Sequence, residues 1–148
     1  MAVTTKWYGN GAKAMAMGDI IWKQAGGSAL KVILCASGYT PNQDTHDFYD
    51  DITNELGTGN GYTAGGETLT KSDPTYDSGT NEIRMDAADV TWAASTLTAR
   101  YAVIYKDTGT ANTSPLLAYV DFGEDKSSSA GNFTLQWAAT GVLKITAS

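Results

Sequence analysis

The sequence predicts an all-β protein, an antiparallel β-sandwich of jelly-roll-like or immunoglobulin-like type with at most one short helix. Three observations carry that prediction. Threonine, valine, tyrosine, tryptophan and glycine set the character of the chain, and they are residues of strands and tight turns. Short apolar alternations recur between turn signals. About ten strand-length segments result, near the usual number for two packed sheets. The 148 residues suffice for a single domain but are too few for two comfortable cores. Residues 1–148 therefore read as one sandwich domain, with residues 1–17, rich in small side chains and poorly patterned, as a candidate extended arm.

Strands are expected over residues 4–8, 19–23, 30–36, 67–71, 82–85, 90–94, 96–106, 116–122, 131–137 and 142–146. The clearest is 96–106, where Leu97, Ala99, Tyr101, Val103 and Tyr105 alternate with Thr98, Arg100, Ala102, Ile104 and Lys106; its length suggests a central strand. After a loop over 107–115, residues 116–122 return as its antiparallel neighbour. Phe133, Leu135 and Trp137 share one face of the next strand, and residues 138–141 turn into 142–146 as a hairpin. With Trp92, Tyr101 and Val103 they form the expected core. Residues 45–56 read either as a helix, with Phe48, Ile52 and Leu56 at helical spacing and acids in the first turns, or as an irregular loop with a short turn. The glycine- and threonine-rich stretch 55–70 reads as an architectural loop anchored by Tyr62, Gly65 and Gly66.

The net charge of −6 and the scatter of ten Lys and Arg disfavour nucleic acid as a partner, since phosphate neutralisation needs a basic face. No segment approaches the length of a membrane span. The N-terminus lacks a basic region followed by an apolar one, so the chain is expected to be made and folded in the cytosol. Cys35 is the only cysteine and sits in an apolar run, which rules out an internal disulfide or a multi-cysteine zinc site.

Catalytic chemistry has few carriers. His46, the only histidine, lies between Asp44 and Asp47 and could act as a base oriented by a carboxylate. No nucleophile-elbow pattern accompanies it, and Cys35 in an apolar strand is a poor nucleophile, so a structural histidine is the stronger reading. Asp44, Asp47, Asp50, Asp51 and Glu55 are dense in oxygen ligands, but their spacing fits no EF-hand loop, and a solvated acidic surface is expected over a metal site. Residues 9–11, 57–61 and 65–66 are glycine-rich without the Gly-Lys-Ser/Thr of a phosphate loop and read as turns. Trp7, Tyr8, Trp22, Tyr39, Tyr62, Trp92 and Trp137 could line a carbohydrate platform, although aromatics at alternating strand positions more often face a core. No catalytic residue, cofactor or metal is expected.

Taken in order, Tyr39-Thr-Pro-Asn, His46-Asp-Phe, Asp50-Asp-Ile, Glu55, Gly59-Asn-Gly-Tyr-Thr-Ala-Gly-Gly66, Leu69, Asp89-Val-Thr-Trp92, Ala99-Arg-Tyr-Ala-Val-Ile-Tyr105, Ser114-Pro-Leu-Leu, Val120-Asp-Phe-Gly123, Phe133-Thr-Leu-Gln-Trp137 and Gly141-Val-Leu-Lys-Ile-Thr146 resemble a family of small virion structural proteins of tailed bacteriophages and prophages. The resemblance runs nearly end to end. It implies a non-enzymatic protein of the particle, of head decoration (cement) type, made in the host cytoplasm and placed on the capsid surface. The implied partners are the major capsid protein and further copies of the chain, as a dimer or trimer; neither nucleic acid nor membrane is implied. Val3, Trp7 and Tyr8 are the expected contact with a lattice or oligomer neighbour. Broad, weakly charged faces suit such assembly, and multivalent placement on a lattice makes modest contacts effectively permanent. The alternative is a tail or head-fibre module that binds host surface glycans through exposed aromatics.

Overall fold

The computed structural model describes residues 2–147. Its elements in chain order are β1 (Ala2–Val3), β2 (Thr5–Trp7), α1 (Gly9–Ala16), β3 (Leu30–Cys35), β4 (Glu67–Thr68), β5 (Thr75–Asp77), β6 (Glu82–Met85), β7 (Val90–Ser95), β8 (Thr98–Lys106), β9 (Leu116–Ser127), β10 (Gly131–Trp137) and β11 (Leu143–Thr146). One antiparallel sheet has the order β2-β9-β8-β3-β4; two three-stranded sheets have the orders β1-β10-β7 and β11-β6-β5. Val32, Leu34, Ala102, Ile104, Ala118 and Val120 of the large sheet share one apolar cluster with Met85, Val90, Trp92, Phe133, Leu135, Trp137 and Leu143 of the small ones. The result is an all-β sandwich.

The large sheet is buried on its reverse face as well. There Ile33, Cys35, Tyr101, Val103, Tyr105 and Leu116 pack with Tyr8 and Tyr39, and Tyr49 and Ile52 close over them. Double burial explains why β3 reads as an almost unbroken apolar run rather than an alternation. It also divides the expected core. Trp92, Phe133, Leu135 and Trp137 fill the sandwich interior, whereas Tyr101 and Val103, equally buried, belong to the second cluster. Ala99 and Tyr101 face opposite sides although they are two residues apart, because β9 bulges between them: the step from Ala99 to Tyr101 is matched by the step from Lys126 to Asp121. Trp92 Nε1 is buried without a hydrogen-bond partner among the described residues.

Several expected elements take another form. Residues 9–11 are not a turn, and the N-terminal segment is no extended arm: it forms β1, β2 and then α1, whose Gly11 and Ala14 are buried. A Cβ on Gly11 would lie 2.3 Å from the Leu117 carbonyl oxygen, so glycine lets the helix rest directly on the β9 backbone. Only Gly9, Asn10 and Gly11 oppose a helix; Ala12-Lys-Ala-Met-Ala16 are good helix formers that carry it. Residues 19–23 are not a strand; Ile20 and Trp22 are buried from an irregular segment, with Trp22 Nε1 donating to the Ser72 carbonyl at 3.0 Å. Of the 45–56 stretch only a 3-10 turn at Tyr49–Asp51 is helical. The backbone on either side of that turn bonds elsewhere, Leu116 N–H to the Asp47 carbonyl at 2.9 Å and Tyr49 N–H to the Ser114 carbonyl at 2.9 Å. The expected strand 67–71 shortens to β4, 116–122 lengthens to β9, and β5 was not anticipated. The expected hairpin of 131–137 with 142–146 does not form: β10 lies between β1 and β7, β11 pairs with β6 in another sheet, and only an isolated bridge joins Ala138 to Gly141.

Trp137 is 5% exposed and its Nε1 donates to the Ala88 carbonyl at 3.0 Å. Trp137→Ala is expected to cost about 3–5 kcal/mol in urea unfolding, through lost burial, a cavity and an unpaired carbonyl. An unchanged midpoint would contradict its place in the core.

Candidate functional site

The densest polar chemistry lies beside β3, where the chain from Ala36 to Gly66 passes from the reverse face of the large sheet, at Tyr49, to the sandwich interior, at Tyr62. Glu55 is its centre. The chain meets the β3 end there, with Ala36 N–H donating to the Asn54 carbonyl at 2.8 Å and Leu56 N–H to the Leu34 carbonyl at 3.0 Å. Glu55 Oε1 accepts from the Tyr49 hydroxyl, and Oε2 accepts from the Tyr62 hydroxyl and the Gly65 N–H, both at 2.7 Å. The Tyr62 hydroxyl also accepts from Leu34 N–H at 3.1 Å, and the Tyr105 hydroxyl donates to the Gly65 carbonyl at 2.7 Å. Gly66, at φ +82°, passes so close to β3 that a Cβ would sit 1.9 Å from the Val32 carbonyl oxygen. Tyr62, Gly65 and Gly66 therefore tie the loop to β3 and β8 through one carboxylate and one close backbone crossing.

A second chain of hydrogen bonds runs from Tyr8 to Tyr39 (2.7 Å) and from Tyr39 to His46 Nδ1 (2.8 Å). Asn42 N–H also points at Nδ1, at 3.3 Å. Nδ1 must then be the acceptor, which places the imidazole proton on Nε2 and makes Tyr39 donate to His46 and Tyr8 to Tyr39. The partners of His46 are a buried phenol and a backbone amide, not a carboxylate. Burial, with the Glu55 charge adding to it, pushes the Cys35 thiol up to about 12, so it stays protonated and unreactive near neutrality.

The acidic residues are also engaged with the backbone. Asp51 Oδ2 accepts from Asp47 N–H at 2.8 Å, and this bond holds Asp51 below the usual carboxylate range, while partial burial and then its contact with Asp51 raise Asp47. Among the described residues no cluster of three or more His, Cys, Asp or Glu is placed to hold a metal. No helix among them is long and apolar enough to cross a membrane.

What remains open is apolar surface. A cleft of about 520 Å³ between α1 and β11 is lined by Trp7, Ala12, Met15, Ala16, Lys144 and Ile145. Ile145 is 41% exposed, and Met17, just past the helix, is 65% exposed. Of the expected contact residues, Trp7 lines this cleft and Val3 lines a smaller one, but Tyr8 is fully buried and is not available to a neighbour. Tyr39, a candidate sugar-stacking ring, is likewise buried, as are Tyr62, Trp92 and Trp137. Met15, Met17 and Ile145 were missed. The spacing of Ala12, Met15 and Ala16 is that of one helix face, a signal visible only once residues 9–16 are read as helix.

Two measurements test the buried network. Glu55→Ala strips the acceptor from two phenols and an amide and is expected to cost about 3 kcal/mol or more, with Glu55→Gln losing less; equal stability of all three proteins would remove Glu55 as the anchor. Burial first, and then neighbouring acids or phenols, raises Tyr8, Tyr49, Tyr62 and Tyr105 above the usual phenol range, and burial pushes Tyr39 up to about 12 against the lowering effect of the Tyr8 hydroxyl. Each folded-state value lies above the unfolded one, so the stabilisation is complete below about pH 10 and is lost as pH rises from there through the folded values. In an alkaline absorbance titration these five of the eight tyrosines should ionise in one step together with unfolding. Smooth ionisation of all eight near pH 10 with the fold intact would contradict the network.

No protein-family model, curated protein or solved structure matches the chain.

Proposed function

We propose that the chain is a non-enzymatic structural protein of a tailed-phage virion, a decoration protein that binds the major capsid protein lattice on the capsid surface and stabilises the head, acting as a small homo-oligomer. The phage assignment rests on the end-to-end resemblance of its sequence motifs. The observation that carries the assembly reading is where reactive and apolar groups lie. Glu55, Cys35, the His46 Nδ1 and the buried tyrosines are consumed by the fold, while Trp7, Met15 and Ile145 leave an apolar cleft at the surface. Exposed apolar surface beside polar neighbours suits a protein contact. The glycan-binding alternative has less to draw on, since Tyr39, Tyr62, Trp92 and Trp137 are buried and the exposed large ring is Tyr76, at 58%.

Cryo-electron microscopy of particles from the producing phage tests the reading. Many copies at local symmetry axes of the head are expected; a few copies confined to the tail or a fibre would overturn it. Ile145→Glu should lower occupancy on particles in competition with the native chain while changing thermal stability little, because the side chain is at the surface.

A further inference from the structure

Sheet edges invite pairing with other chains, and most edges of this protein are guarded. Strands β2, β4 and β5 have three residues or fewer, and β11 has four, including Lys144. Strand β7 carries a bulge with Ala94 at φ +48°. The part of β9 beyond β2 is bulged, has Gly123 at φ +80°, and bears Asp121, Glu124, Asp125 and Lys126.

Strand β10 has none of these protections. Its seven residues, Gly131-Asn-Phe-Thr-Leu-Gln-Trp137, include no charge and no proline, and none has a positive φ. Among the described residues β1 covers it only at Gln136 and Trp137, leaving residues 131–135 unpartnered on that side. Trp137 N–H turns towards β7, to Asp89 Oδ1 at 3.0 Å, so alternation along the strand sends the N–H and C=O of Asn132 and Thr134 outward. The 3.1 Å contact between the Thr134 and Thr91 hydroxyls is the close side-chain approach of a non-hydrogen-bonded pair and agrees. Beside this edge lies a cleft of about 190 Å³ lined by Val3, Phe122, Phe133 and Leu135. That is smaller than the roughly 300 Å³ at which small-molecule pockets begin, and it is the size for an inserted side chain.

We propose that the free edge of β10 pairs antiparallel with the same edge of a second copy of this chain, about a two-fold axis at Phe133. The five free residues are self-complementary in that register. Asn132 faces the partner's Thr134, and Thr134 faces the partner's Asn132, so both outward N–H and C=O sets are satisfied twice over. The occupant follows from charge. In a chain of net charge −6, most surfaces of two copies repel, and a two-fold strand contact repeats any charge of one strand within a few residues on the other; a strand without charges is the one that tolerates this. At the cleft the only ionic side chain, Lys126, is already paired with Glu124 at 2.7 Å. The pairing sets the strands in the order β7-β10-β10-β7, with each β1 on the same edge at Gln136 and Trp137, and brings the two Phe133 side chains together over Phe122, which already meets Phe133 edge-on at 6.2 Å.

The proposal deepens the assembly reading above and rests on it for its purpose. Sedimentation velocity of the native chain is expected to show a dimer at micromolar concentration. Thr134→Pro removes an outward N–H at a position where an edge strand accepts proline, and should give a monomer with native circular dichroism. Should that variant fail to fold, lysine substitutions decide the matter. Asn132→Lys with Thr134→Lys should weaken dimerisation on the order of a hundredfold, and Asn132→Lys with Thr134→Glu should restore it, because lysine then meets glutamate across the axis. A native chain that is monomeric, or a dimer equally strong in every variant, overturns the pairing. A monomer that still decorates heads overturns the pairing alone; a β10-dependent dimer absent from heads overturns decoration alone.

Discussion

Everything in this structure follows from the large sheet having two apolar faces. One face is covered by other sheets, which bring their own backbone hydrogen bonds with them. The reverse face is covered by irregular chain, whose backbone polar groups have no ladder to join and must find partners one at a time. Glu55 meets that need for the segment on β3 by accepting from Tyr49, Tyr62 and Gly65 together. The Tyr8–Tyr39–His46 chain does the same for the N-terminal side. Partial burial strengthens these bonds and makes the loss of an acceptor costly.

A histidine next to aspartates, a lone thiol and a cluster of acids are common ingredients of an active site, and here three of these groups are engaged by the fold. Asp51 holds the Asp47 amide, Cys35 sits in the second core, and His46 ends a buried phenol chain. What faces outward is apolar surface near α1 and β11 and an unguarded strand edge.

Strand-rich character was legible in the sequence because alternation and turn residues are local signals, and β6, β7, β8 and β10 lie close to where those signals placed them. Helix α1 was not legible, since Gly-Asn-Gly speaks for a turn until the β9 backbone beneath Gly11 is known. The helical spacing of Phe48, Ile52 and Leu56 misled for the converse reason: the local pattern was outbid by backbone bonds to residues 114–116, far along the chain. Tyr8 and Tyr39 read as ordinary surface aromatics because the second core that buries them is assembled from β3, β8 and two irregular segments. Glu55 was visible only as one acid among several; no spacing rule announces that two tyrosines and a glycine will converge on it.

The pairing of β2 with β9 has a consequence for how the chain is made. Thr5 bonds beside Val120, and Val3 lies beside Trp137, so strands synthesised first wait for partners synthesised last. Nearly the whole chain must leave the ribosome before either sheet can close, and contacts this distant in sequence close slowly. Until they do, β3 and β8 expose two apolar faces each. Fast release from the ribosome and a cool growth temperature would favour native yield, since both shorten or soften the interval in which newly made copies can associate wrongly.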